Sequence, residues 1–240
     1  MPLEFPNRRT TYLPRGFSES SLWLFGLGHY EPLLAELRAM EKDSYERAGV
    51  DRALAIACDL ARLEAPLRSR ILDVGCSNGL VAQLLAQIGY QVTGIDNDIV
   101  VERQDWHDRE RLVSLRAAAS RGSCKLLTID LSGFLESSGE TFEAALLLSV
   151  LHHWIPSSGG ASGGPALERM LAKLCSRLSS WLYVETPIGD EQAEAPPDPA
   201  GIFLYPKYFV EAGLAADIQL VASTIATNGK PRRLYRIDLA

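Results

Sequence analysis

"ILDVGCSNGL", residues 71–80, turns within three positions from branched apolar residues to an aspartate and then to small residues and glycine. The apolar part has the length of a short strand, and "GLVAQLLAQIG" behind it repeats apolar residues at helical spacing up to Gly89. A strand, a glycine-rich turn and a helix in that order are the first unit of an α/β sheet. In such sheets ligands lie beyond the carboxyl ends of the strands, where the strand order reverses. Gly75 and Gly79 allow a tight turn and close approach of a ligand to the backbone.

The alternation continues outward from this unit. "YQVTGID" predicts a second strand, followed by a polar helical segment near 99–119. "CKLLTID" and "EAALLLSV" predict a third and a fourth strand, the latter continuously apolar as for a strand covered on both faces. "ALERMLAKLCSRL" then reads as a helix, "SWLYVET" as a fifth strand and "YPKYFVEAG" as a helix. "IQLVASTIA" and "RRLYRIDL" flank "TNGKP", whose Asn-Gly signals a hairpin. The fold expected is α/β, with a seven-stranded, mostly parallel sheet, helices on both faces and an antiparallel C-terminal hairpin. Upstream, "YEPLLAELRAMEK" and "VDRALAIACDLARL" predict two helices, and residues 1–30 an arm whose Phe17, Leu22, Trp23, Leu24 and Phe25 suit packing on the domain. The division expected is 1–66, an arm with helices that forms an acceptor lid, and 67–240, the sheet domain. Residues 157–164 and 189–201 read as surface loops.

The chain has 240 residues, a formal net charge of −6 and a pI near 5.3. That balance argues against a broad nucleic-acid-binding face and suits small diffusible partners. Cys58, Cys76, Cys124 and Cys175 form no CxxC pair, so no metal site or disulfide framework is expected. The N-terminus lacks an apolar leader, and no apolar run approaches the ~20 residues that span a bilayer. A cytoplasmic protein without a membrane span is expected; the oligomeric state is left open.

Asp96 stands 23 positions after Asp73, at the end of the second strand, where a carboxylate can accept from a ribose diol. Gly75-Cys76-Ser77-Asn78-Gly79 lacks the G-x-G-x-x-G spacing of dinucleotide sites, and Asp73 would repel a diphosphate. A cationic ligand is the better match. Taken singly, Asp73, Asp96 and Asp130 read equally as turn or cap residues; their placement at three successive strand ends argues for a site.

"ILDVGCSNG", "VTGIDND", "TIDL" and "FEAALLLSVLHHW" together resemble, in order and spacing, the motifs of class I S-adenosylmethionine-dependent methyltransferases, over roughly residues 68–238. The resemblance implies a Rossmann-like fold and S-adenosyl-L-methionine as cofactor, with S-adenosyl-L-homocysteine as product. It implies that Asp73, Gly75, Cys76, Ser77 and Gly79 hold the methionine part of the cofactor. It also implies that Asp96 binds the ribose, that Asn97, Asp130 and Leu131 surround the adenine, and that Ser149 to Leu151 line the methyl group. Ser77 departs from the glycine usual there. Cys76 reads as a small packing residue rather than a nucleophile, having no basic neighbour in sequence.

Methyl transfer needs an aligned acceptor and, for a hydroxyl, a base. His152 and His153, two of the chain's four histidines, follow the fourth strand and titrate near neutrality. His153 is the preferred base, by resemblance to family members with a polar residue at that step. Glu185, at the tip of the fifth strand, could orient the acceptor or a histidine, or cap the next segment. A looser similarity, carried by "LSVLHHW", "YVETP" and "GKPRRLYRI", connects the chain to members acting on glycan ends and terminal phosphates. Arg8, Arg9, Arg15, Arg232, Arg233 and Arg236 could bind such an anion or serve as surface and edge-strand residues. O-methylation of a small metabolite, sugar or phosphorylated acceptor is the first expectation. An RNA-modifying methyltransferase and a cofactor-binding protein without transfer activity are the alternatives.

Overall fold

The computed structural model describes residues 45–77, 79–97, 122–151, 164–187, 209–210, 212–225 and 231–240. His152, His153, Asn78, the arm with its first helix, and the segments expected at 99–119 and 189–201 lie outside the described residues. The described elements are α1 (Tyr45–Arg62), β1 (Arg70–Val74), α2 (Leu80–Ile88), β2 (Gln91–Asp96), β3 (Ser123–Thr128), α3 (Leu131–Ser137), β4 (Phe142–Leu147), α4 (Gly164–Cys175), β5 (Leu178–Pro187), β6 (Ala215–Ile225) and β7 (Pro231–Leu239).

Seven strands form one sheet in the order β3-β2-β1-β4-β5-β7-β6. The neighbours from β3 to β5 run parallel, and β7 is antiparallel to both β5 and β6. The mostly parallel sheet with an antiparallel end is therefore as the sequence predicts. Within that end the last strand lies inside, between β5 and β6, and β6 takes the edge. β1 pairs with β2 on one side and β4 on the other, so the strand order reverses at the carboxyl end of β1.

Side chains alternate between two apolar layers, which explains the unbroken apolar runs of the inner strands. Ile71, Ala144, Leu146 and Tyr183 pack with α1 and α2 on one face. Leu72, Ala145, Leu147, Leu182 and Val184 pack with α3 and α4 on the other. Between Ala53 and Leu60 of α1 every side chain is buried, including the carboxylate of Asp59.

One element differs from the sequence expectation. A turn is the structural reading of Asp130 in sequence, whereas α3 begins there: the Asp130 side chain accepts from Gly133 N at 2.7 Å and caps the helix. Seven residues with an internal glycine give too little periodicity to announce a helix, and Leu131, Phe134 and Leu135 hold it by burial.

Candidate methyl-transfer site

The carboxyl ends of β1, β2, β4 and β5 gather most of the residues singled out in the sequence. Gly75 and Gly79 both have left-handed backbones, φ +71° and +74°, and so does Ser77 at +50°. That conformation is costly for serine and free for glycine. The turn is fixed by its neighbour strand: the N–H groups of Gly75 and Cys76 donate to Ile95 O at 2.8 and 3.0 Å, and Ser77 N donates to Asp96 Oδ2 at 2.8 Å. Asp96 thus ties the glycine turn to β2 while remaining half-buried. Gly79 is the N-cap residue of α2, and among the described residues no side chain caps that end.

Asp73 is the most unusual group here. It is 2% exposed, and its Oδ2 has no hydrogen-bond partner among the described residues. Burial pushes its carboxyl up to about 7, the nearby Asp96 pushes the same way, and the Ala82 N–H and the Arg52 guanidinium oppose them. An isolated buried carboxylate oxygen is costly. A cationic ligand with N–H donors removes that cost, so the chemistry of Asp73 fits an aminoacyl sulfonium and would oppose a diphosphate.

The loop after β4 closes on this turn. A Cβ placed on Gly75 would lie 2.7 Å from Val150 Cγ2, so only glycine lets the two segments pack this closely. Ser149, just before Val150, has φ +56° and donates its hydroxyl to Glu185 Oε2. Glu185 is 2% exposed, and its Oε1 lies 3.4 Å from Arg52 Nε. Cys76 is buried, and burial with the carboxylates of Asp73 and Asp96 holds its thiol in the neutral form, as expected of a packing residue. Asn97 is exposed, Asp130 is exposed with Oδ1 occupied by the Gly133 N–H, and Leu131 is buried.

Arg52 is the residue that sequence reasoning missed. Its signal is a charged residue beside the apolar run "ALAIAC", with Asp59 seven positions on, which places both on one face of α1. Of the arginines raised as anion ligands, Arg236 is engaged internally. It donates to both carboxylate oxygens of Asp59 at 2.8 and 3.1 Å and to Asp238 at 2.7 Å. Arg233 lies beside Tyr235, and Arg232 is buried.

The methyltransferase domain family matches residues 47–195, more than half of the chain. The chain belongs to this family. Among solved structures, a magnesium protoporphyrin IX methyltransferase (ChlM) from Synechocystis PCC 6803 with bound SAH superposes with a TM-score of 0.55 at 18% identity, over 82% of this chain and 85% of that one. The bifunctional kinase-methyltransferase WbdD superposes at 0.53 with 21% identity, over 78% of this chain. The present chain spans about two fifths of the WbdD chain, 38% being covered. These identities establish a shared fold. No curated protein sequence matches the chain.

Proposed function

We propose that the chain is an S-adenosylmethionine-dependent methyltransferase that transfers the methyl group to the oxygen of a small metabolite, sugar or phosphorylated acceptor, with His153 as general base. The observation that carries the reading is the packing of Val150 on Gly75. It brings the segment after β4 against the glycine turn, and His152 and His153 stand two and three residues after Val150 in the sequence.

In this reading Asp73 takes the ammonium of the cofactor's methionine part, Gly75 to Gly79 lie along it, and Asp96 accepts from the ribose. Asn97, Asp130 and Leu131 border the adenine, and Ser149 stands near the transferred methyl. The bound cofactor supplies a methyl carbon made electrophilic by its sulfonium. His153 would accept the hydroxyl proton of the acceptor and so raise the nucleophilicity of its oxygen toward that carbon. His152 supports the loop. The N-terminal 1–66 segment supplies the acceptor lid, and the rest of the chain the transfer domain. The four free cysteines support a reducing, cytoplasmic setting.

The acceptor class rests on the similarity of "LSVLHHW" and "GKPRRLYRI" to members acting on glycan ends and terminal phosphates. The test is methyl transfer from labelled S-adenosylmethionine to hydroxylated and phosphorylated sugars by the native protein and by His153→Ala. The reading expects the variant to retain cofactor affinity and to lose about 10²–10⁴-fold in turnover, the usual worth of a general base. Full turnover in the variant would move the base elsewhere.

A further inference from the structure

Two charged residues leave α1 toward the sheet two turns apart, and they do different things. Asp59 is an anchor. It takes Arg236, Arg62 and the Tyr183 hydroxyl, and so pins the helix to the middle of β5 and β7. Arg52 reaches the carboxyl end of β5, two residues beyond Tyr183 on the same face. There it pairs with Glu185, while its charge acts on Asp73 at the end of β1. Both oxygens of Glu185 are engaged, Oε1 by Arg52 and Oε2 by Ser149. Ser149 precedes Val150, which packs on Gly75.

Arg52 is not the sole anchor of the helix: the Asp59 cluster and the buried Ala53, Ile56 and Leu60 also hold it. We infer that Arg52 is a positioning residue of the transfer site. It holds Glu185, and through Ser149 the segment on the glycine turn, and its charge favours the ionised form of Asp73 against burial. Glu185 then shapes the loop and does not take the acceptor's proton. This rests on the assignment of Asp73 to the cofactor.

Among the described residues, the groups that act on Asp73 are the charges of Arg52 from α1 and Asp96 from β2 and the Ala82 N–H of α2, and Asp73 in turn acts on Cys76 in the turn. The experiment is calorimetric titration of the full chain with S-adenosylhomocysteine between about pH 5.5 and about pH 9, alongside urea unfolding. Affinity should fall on the acid side as Asp73 takes up a proton. Arg52→Met removes the neighbouring cation, so the midpoint of that fall should move up by roughly one pH unit, with affinity at pH 7 lowered roughly fivefold. Arg52→Lys should restore most of the profile. Glu185→Gln frees the guanidinium for Asp73, and its midpoint should move down. A residue that only packs would lower stability and leave both midpoints in place. Unchanged midpoints, or midpoints moving in the same direction, would overturn the inference while the cofactor assignment stood. No binding by the native chain at any pH would overturn both.

Discussion

At the level of single residues the site depends on backbone conformations that side chains resist. Gly75 combines φ +71° with Val150 Cγ2 standing where a Cβ would intrude, at 2.7 Å. Gly75→Ala should therefore cost roughly 1–3 kcal/mol in urea unfolding and weaken cofactor binding, because the loop after β4 must retreat. Asp73 gives a prediction with the opposite sign for stability. Its folded carboxyl titrates near 7, above its ordinary 3.8, so the folded state holds the proton more tightly than the unfolded one. Its contribution is present below about pH 4 and is lost as the pH rises through about 7. Without cofactor, Asp73→Asn should match the native protein near pH 4 and exceed its stability by up to a few kcal/mol at pH 8. The same variant should bind S-adenosylhomocysteine roughly 10–100-fold more weakly. Unfolding and titration curves against pH check both; parallel stability curves would place Asp73 in an ordinary environment. Asp73 and Gly75 were legible in the sequence because they stand at the end of one short strand and in the turn behind it, so chain order alone places them together. Arg52 was not, since only tertiary packing makes a helical arginine meet Glu185, 133 positions later in the chain.

Among the elements, α1 is the one whose importance the sequence understated. Its helical periodicity was plain, but besides α2 its partners are β5, β6 and β7, far along the chain. Asp59 lies at the centre of a buried cluster with Arg236 and Tyr183, and it holds the Tyr183 phenol well above its ordinary range through burial and charge. Asp59→Ala leaves a buried guanidinium short of its partner and should cost roughly 3–5 kcal/mol. Tyr183→Phe leaves the Arg236 pair intact and should cost roughly 1–3 kcal/mol. Urea unfolding of both variants checks the order; equal losses would mean that the phenol, and not the ion pair, secures the helix. α3 escaped the sequence because its seven residues are stabilised by a cap and by burial more than by pattern.

The whole molecule follows from patterns that persist over long stretches. Strand and helix alternation requires a parallel sheet, and the late Asn-Gly between apolar runs requires an antiparallel end; both stand in the strand order β3-β2-β1-β4-β5-β7-β6. The sequence could not rank β7 inside β6, because a hairpin docks by either strand and the choice rests on side chains such as Arg236 and Ile237 that pack with β5 and α1. Among the described residues no helix is long and apolar enough to cross a membrane. A glycine turn without dinucleotide spacing, next to a buried carboxylate oxygen that has no hydrogen-bond partner among the described residues, is the ground on which we propose a sulfur nucleotide and not a diphosphate as ligand. The direct measurement is calorimetric titration of the full chain with S-adenosylmethionine, S-adenosylhomocysteine and NAD, repeated with Asp96→Ala. The account predicts that the native chain binds both sulfur nucleotides and not NAD, and that the variant loses most of that affinity. NAD binding, or sulfur-nucleotide affinity indifferent to Asp96, would contradict it.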